Sequence, residues 1–251
     1  MLQRKKNALY LIVVGLLLAW GMIFPIPGLA DCPSGEKLQK GIKKVFPKLQ
    51  FEMIKTGPSE MAGICQTQIK VGNQTYVLYS DQRGDYLFSG NLFELKSGRN
   101  LTMETQQAAN RLSPEDMHTL ETLSPFAIGN GKKVLYLVTD PQCPYCKQAE
   151  TLLKKWTADL TVRFIMLPLD IHKGAKEQCI SIICDNKGIE GFDAAYQSNN
   201  QCPEGIKKVD SSIAFLQKKG ISSTPTFIFS DGIYISGLPP EEELRKKLAL
   251  P

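Results

Sequence analysis

Lys133-Val134-Leu135-Tyr136-Leu137-Val138-Thr139-Asp140-Pro141-Gln142-Cys143-Pro144-Tyr145-Cys146 is the stretch on which the fold turns. Its first half reads as a buried strand. From Cys143 onward, through Gln148-Ala149-Glu150-Thr151-Leu152-Leu153-Lys154-Lys155-Trp156, the pattern is helical. Two cysteines separated by two residues at a strand-to-helix junction are the smallest arrangement that performs thiol–disulfide exchange. The helix N-terminus offers unpaired N–H groups and the positive end of a dipole, and both stabilise a thiolate. Such sites lower a cysteine pKa from ~8.5 to roughly 3.5–7.5, and only the thiolate attacks. Cys143 is expected at the exposed start of the helix. Cys146, one turn in, is placed to attack a mixed disulfide on Cys143.

Outward from this segment, strands and helices alternate. A second strand is expected at 161–167, with little polar interruption, as in a sheet covered on both faces. Helices follow at about 174–185, 190–198 and 206–219. Thr226 to Phe229 forms a third strand, Asp231-Gly232 turns it into Ile233-Tyr234-Ile235, and Pro239-Pro240 opens a last helix. Toward the N-terminus the pattern is different. One helix over 34–49 precedes short strands at 51–56, 65–71, 75–79, 86–88 and 91–95, separated by Gly- and Asn-containing turns. Cys65, Thr67, Ile69 and Val71 alternate with Gln66, Gln68 and Lys70, the mark of a half-buried strand. Residues 31–102 thus form a small α+β domain with a thin core. Its exposed strand edges invite dimerisation. Residues 103–124 read as a polar connecting helix, with Ser113-Pro114-Glu115-Asp116 as a helix start and too few apolar residues for a core. Residues 125–251 form the second domain.

Arg4, Lys5 and Lys6, an apolar run from Ala8 to Phe24, breakers at Pro25, Pro27 and Gly28, and a small residue at Ala30 outline a secretory signal over residues 1–30. An uncleaved inner-membrane anchor is the other reading, and both put the rest of the chain outside the cytoplasm. Cleavage removes three of the 30 Lys and Arg residues, leaving 27 against 25 Asp and Glu, a net of +2. That near-neutral balance gives no reason to invoke nucleic acid. Seven cysteines in an exported chain call for disulfides, and the odd number leaves at least one unpaired in a monomer. Zinc on Cys143, Cys146, Cys179 and Cys184 competes poorly, because Pro-Tyr between the first pair suits a redox turn. His118 and His172 lack ligand-like spacing. No metal or cofactor is expected.

Strand, Cys-x-x-Cys, helix, strand, helices and then Thr224-Pro225 before a hairpin is the thioredoxin-like order. The whole of 31–251 resembles the DsbC/DsbG family of periplasmic disulfide isomerases. Thr139 to Cys146 is similar to that family's active-site segment, and Ser222-Ser223-Thr224-Pro225-Thr226 to its cis-proline loop. Met61-Ala62-Gly63-Ile64 and the meander through Tyr86-Leu87-Phe88-Ser89-Gly90 resemble its N-terminal dimerisation domain. The resemblance implies an α+β fold: a cystatin-like dimerisation domain, a linker helix, and a thioredoxin-like catalytic domain with a helical insertion. It implies Cys143 and Cys146 as the catalytic pair, Thr224, Pro225 and Tyr145 as substrate contacts, and a structural disulfide between Cys184 and Cys202. It further implies a periplasmic homodimer that acts on unfolded or mis-oxidised exported proteins and is kept reduced by a DsbD-like membrane electron donor. Pro144 departs from the pattern, standing where DsbC has glycine. A dedicated thiol oxidase or reductase, for instance one serving cytochrome c assembly, therefore stays open, as does a holdase chaperone with secondary redox activity. Cys32 and Cys65 have no expected counterpart. They either bridge the N-terminus to the sheet, pair between chains, or remain two free thiols. Cys179 is expected to be an inert buried thiol.

Overall fold

The protein is described by a computed structural model covering residues 32–250. The signal expected over residues 1–30 lies outside the described residues. After Ser34, whose hydroxyl accepts from the Lys37 N–H, Gly35–Val45 forms α1, with Leu38 and Ile42 inward and Lys43 and Lys44 at its C-terminal end. The strands Glu52–Pro58 (β1), Ile64–Val71 (β2), Gln74–Asp81 (β3) and Leu87–Phe88 (β4) follow. They form one antiparallel sheet in the order β1-β2-β3-β4. Along β2 the buried residues are Cys65, Thr67 and Ile69, the alternation legible in the sequence. Cys32 is bridged to Cys65, which fastens the start of the described chain to this sheet. The segment beyond β4 is a small hairpin, Phe93–Glu94 (β5) with Arg99–Asn100 (β6), where the sequence suggests one strand and a turn.

The connecting segment is helical, but in two pieces: Leu101–Ala109 (α2) and Pro114–Leu123 (α3). Asn110 makes the break. Its side-chain amide donates to the Thr75 carbonyl at 2.9 Å and its carbonyl oxygen accepts from the Thr75 N–H at 2.8 Å. Ser113 and Asp116 then cap α3 reciprocally, with Pro114 in its first turn. The apolar residues here do join a core: Leu112, Leu120 and Leu123 pack with Tyr136, Val138, Ile165 and Ile228 on one face of the second sheet.

That sheet contains Ala127–Ile128 (β7), Lys133–Thr139 (β8), Leu160–Met166 (β9), Thr226–Phe229 (β10) and Tyr234–Ser236 (β11), ordered β11-β10-β8-β9-β7. β8 and β9 run parallel, and the other pairs are antiparallel. Pro144–Lys154 (α4) crosses between β8 and β9; Ala175–Cys184 (α5), Gly188–Asp193 (α6) and Pro203–Lys218 (α7) lie between β9 and β10; Glu241–Lys247 (α8) closes the chain. β8 alternates strictly. Leu135 and Leu137 face α4 and α8 with Ala149, Leu153, Phe227 and Leu244, while Tyr136 and Val138 face α3 and α7. This two-sided burial explains why β8 and β9 read as continuous apolar runs. The inserted helices enclose a third cluster of Met166, Cys179, Ile182, Phe192 and Val209.

The two sheets meet at a turn. Gln74 Nε2 donates to the carbonyls of Lys219 and Gly220 and to Tyr234 Oη, and Asn73 Nδ2 donates to the Gln217 carbonyl. These bonds seat the β2–β3 turn on the C-terminal end of α7.

Candidate active site

β8 ends at Thr139, and the chain turns through Asp140-Pro141-Gln142 into α4. The Asp140 carboxylate is fully buried and holds this turn from within. Its Oδ1 accepts from the Gln142 N–H at 2.7 Å, and its Oδ2 accepts from the Leu169 N–H at 2.7 Å. His172 Nδ1 lies 2.8 Å from the same Oδ2. Gln142 Nε2 adds bonds to the Lys173 carbonyl and to Gln178 Oε1. One carboxylate therefore ties the residues just before Cys143 to the segment that follows β9.

Cys143 occupies the N-cap of α4, where no side chain accepts from the first-turn N–H groups, and Pro144 is the first helical residue. Contrary to the expected exposure, only 4% of Cys143 is accessible. The reason is the facing loop. Thr224-Pro225 has a cis peptide bond, and the Thr224 carbonyl oxygen lies 3.7 Å from Cys143 Sγ. Cys143 and Cys146 are both free thiols. Cys146 is fully buried. Burial pushes its thiol up to about 12, against the pull of the Thr139 hydroxyl, the Asp140 backbone and the Thr224 hydroxyl. Tyr145 is 60% exposed beside this pair.

The structure thus brings together Cys143, Cys146, Tyr145, Thr224 and Pro225. Cys184 and Cys202 are bridged to each other at the end of α5 and the start of α7, apart from this site. Cys179 is a free, fully buried thiol whose pKa is driven well above the ordinary value by burial and then by Asp140. The sequence placed Thr139 and Asp140 in the active-site segment without a role for either, and gave no sign of His172 or Glu150 at the site. Glu150, on the inward face of α4, is 1% exposed and accepts from the Thr139 hydroxyl at 3.3 Å. Burial, then Asp193, pushes its carboxyl up to about 8. The available signal was an acidic residue four positions after Cys146, in line with Ala149 and Leu153 on the apolar stripe of the helix.

Chemically, this arrangement offers one thiol at a helix N-terminus beneath a peptide loop and a second thiol buried one turn behind it. It defines a thioredoxin-like thiol:disulfide oxidoreductase. Residues 126–250 match the thioredoxin-like domain family, and residues 29–103 match the disulfide bond isomerase protein N-terminal domain family. The chain belongs to the DsbC/DsbG family of thiol:disulfide interchange proteins. The probable thiol:disulfide interchange protein DsbC of Bordetella avium is 22% identical over 209 residues, covering 82% of this chain and 73% of that protein. The thiol:disulfide interchange protein DsbC of Escherichia coli is 20% identical over 210 residues, covering 82% and 86%. Among solved structures, Helicobacter pylori DsbG is 16% identical, covering 77% of this chain and 99% of that one at a TM-score of 0.36.

Proposed function

We propose that this protein isomerises and reduces non-native disulfides in exported proteins through Cys143 and Cys146. The observation that carries this reading is the free dithiol at the head of α4, under the Thr224 carbonyl, in a chain that also has the isomerase-type N-terminal domain. Cys143 attacks a substrate disulfide as thiolate. The substrate S–S bond breaks, a mixed disulfide forms on Cys143, and one substrate sulfur leaves as thiolate. That thiolate either attacks elsewhere in the substrate, which returns Cys143 and completes an isomerisation, or Cys146 attacks Cys143. The second course frees a reduced substrate and leaves a Cys143–Cys146 disulfide, to which a DsbD-like membrane donor returns two electrons. Thr224, Pro225 and Tyr145 line the contact with substrate.

Residues 1–30 serve as the export signal, residues 31–102 as the dimerisation domain, and residues 125–251 as the catalytic domain of a periplasmic homodimer. No helix among the described residues is long and apolar enough to cross a membrane. One feature favours a second reading. Pro144, at the first helical position, changes the residues between the two sulfurs and with them the balance between isomerase and oxidase, so a dedicated oxidase or reductase is the second reading.

The test uses catalytic amounts of the reduced protein with a substrate carrying scrambled disulfides, and follows recovery of the substrate's own activity. Recovery is expected with the wild type and lost in Cys143→Ser. No recovery from a protein whose thiols still react with simple disulfides would leave the dedicated oxidase or reductase. Suppression of aggregation that survives Cys143→Ser without recovery would instead indicate a holdase.

A further inference from the structure

We propose that Gln74, in the β2–β3 turn of the N-terminal domain, is a positioning residue for the Thr224-Pro225 loop that covers Cys143. The inference rests on the dithiol reading above and deepens it, because it gives the N-terminal domain a part in shaping the place where substrate meets the attacking thiol. Gln74 is partly buried. Its Nε2 shares two hydrogens among three oxygens: the Lys219 carbonyl at 3.2 Å, the Gly220 carbonyl at 3.0 Å and Tyr234 Oη at 2.7 Å.

These oxygens stand on both flanks of the loop. Lys219 caps α7, and Gly220 leads through Ile221 into Ser222-Ser223-Thr224. Tyr234 belongs to β11, which pairs with β10 directly after the loop. Two bonds tie this hairpin back to the loop. The Gly237 N–H donates to the Pro225 carbonyl at 2.8 Å. The Thr226 hydroxyl, 2.9 Å from Ser236 Oγ, donates to the Ser223 carbonyl at 2.8 Å. One amide from the other domain therefore joins the strand that holds the end of the loop to the residues that begin it.

The last carbonyls of a helix have no partner within it, and the turn supplies one here. Gly220 admits the amide: its φ is +72°, and a Cβ there would stand 2.5 Å from Gln74 Nε2. Ile221 is 1% exposed and packs in the core, whereas Ser222 and Ser223 are exposed. The Thr224 carbonyl, 3.7 Å from Cys143 Sγ, thus depends on how the two flanks are held. A loop that pairs with an extended substrate binds best when its backbone is fixed beforehand. Cutting the Gln74 bonds should therefore weaken substrate binding and uncover Cys143.

The experiment compares the wild type with Gln74→Met, which keeps the reach of the side chain and removes its donors. Reduced protein in excess over a disulfide-bonded peptide gives a half-saturating concentration and a limiting rate in single turnover. In Gln74→Met the former should rise about fivefold, the loss of one hydrogen bond's net worth. The limiting rate should stay within about twofold. Iodoacetamide should alkylate Cys143 several times faster, while the fully buried Cys179 stays unmodified and reports an intact fold. Tyr234→Phe should shift both readings the same way by less. The combined variant should do no worse than Gln74→Met alone, since both cut one contact. Wild-type half-saturation and Cys143 alkylation in Gln74→Met would overturn the proposal, as would equal acceleration at Cys143 and Cys179. If Gln74→Met does not fold, unchanged readings in Tyr234→Phe overturn it. A wild-type protein that neither reduces the peptide nor reacts at Cys143 would instead strike the dithiol reading itself.

Discussion

Glu150 shares the inward face of α4 with Cys146, Ala149 and Leu153, where a carboxyl has almost no water. Its pKa rises from 4.5 to about 8, chiefly through burial and then through Asp193. Between those values the folded chain holds a proton that the unfolded chain has released. The stability tied to this group is complete below about pH 4.5 and is lost as pH rises through about 8. Glu150→Gln removes the titration. The variant should therefore gain on the wild type as pH rises across that window, by on the order of a few kcal/mol at roughly 1.4 kcal/mol per pKa unit. Urea unfolding at a series of pH values measures the gain, and a difference that stays flat with pH would show that Glu150 does not take up a proton on folding. Asp140 makes a contrasting case. It lies inside the stretch that decides the fold, yet its role was not legible there, because its partners at Leu169 and His172 belong to a segment that follows β9. The two thiols, by comparison, declare themselves by spacing alone.

The connecting segment shows the same division among elements. The start of α3 is written locally, in a Ser113–Asp116 capping box and a proline, and needs nothing from elsewhere. The end of α2 is not, since Asn110 stops it by pairing with the Thr75 backbone, 35 residues earlier in the chain. β3 continues there beyond the reach of the two-residue β4, and the Asn110 amide takes the place of a neighbouring strand. Asn110→Ala should leave the partly buried Thr75 N–H and carbonyl without partners, at a cost of about 1–3 kcal/mol. Chemical denaturation measures this, and a loss well under 1 kcal/mol would mean that water replaces the amide. A similar limit governs which residues count as core. Leu112, Leu120 and Leu123 look too sparse for a core when taken alone, but they complete a cluster supplied mainly by β8, β9 and α7. Alternation in β2 and continuous apolar runs in β8 and β9 were legible, because burial on one face or both leaves a periodic mark. The two-residue β7 was too short to leave one.

For the molecule as a whole, the N-terminal sheet ends on β4, with no strand beyond it among the described residues. Tyr86 and Phe88 beside that edge are 72% and 50% exposed, and Val45 and Phe46 at the end of α1 are also exposed. Between them lies an open groove of about 500 Å³, floored by Leu38 and Ile42. A small sheet with a free edge and an apolar rim is the surface on which the proposed homodimer would pair. Isomerisation requires the protein to hold a substrate while its sulfurs rearrange, and in the proposed homodimer a second copy of the catalytic domain would add to that hold. Reduction of a small disulfide needs only Cys143 and Cys146. The two activities should therefore separate when the edge is charged. Tyr86→Glu combined with Phe88→Glu should convert a dimer to a monomer in sedimentation equilibrium. Recovery of scrambled substrate should fall by about tenfold or more, equivalent to roughly 1.4 kcal/mol of lost effective binding, while reduction of a small aromatic disulfide stays within about twofold. A wild-type protein that sediments as a monomer, or a double variant that loses both activities together, would sink the dimer argument. It would also place substrate retention on the catalytic domain alone, where Tyr145 is the exposed apolar surface beside the thiols.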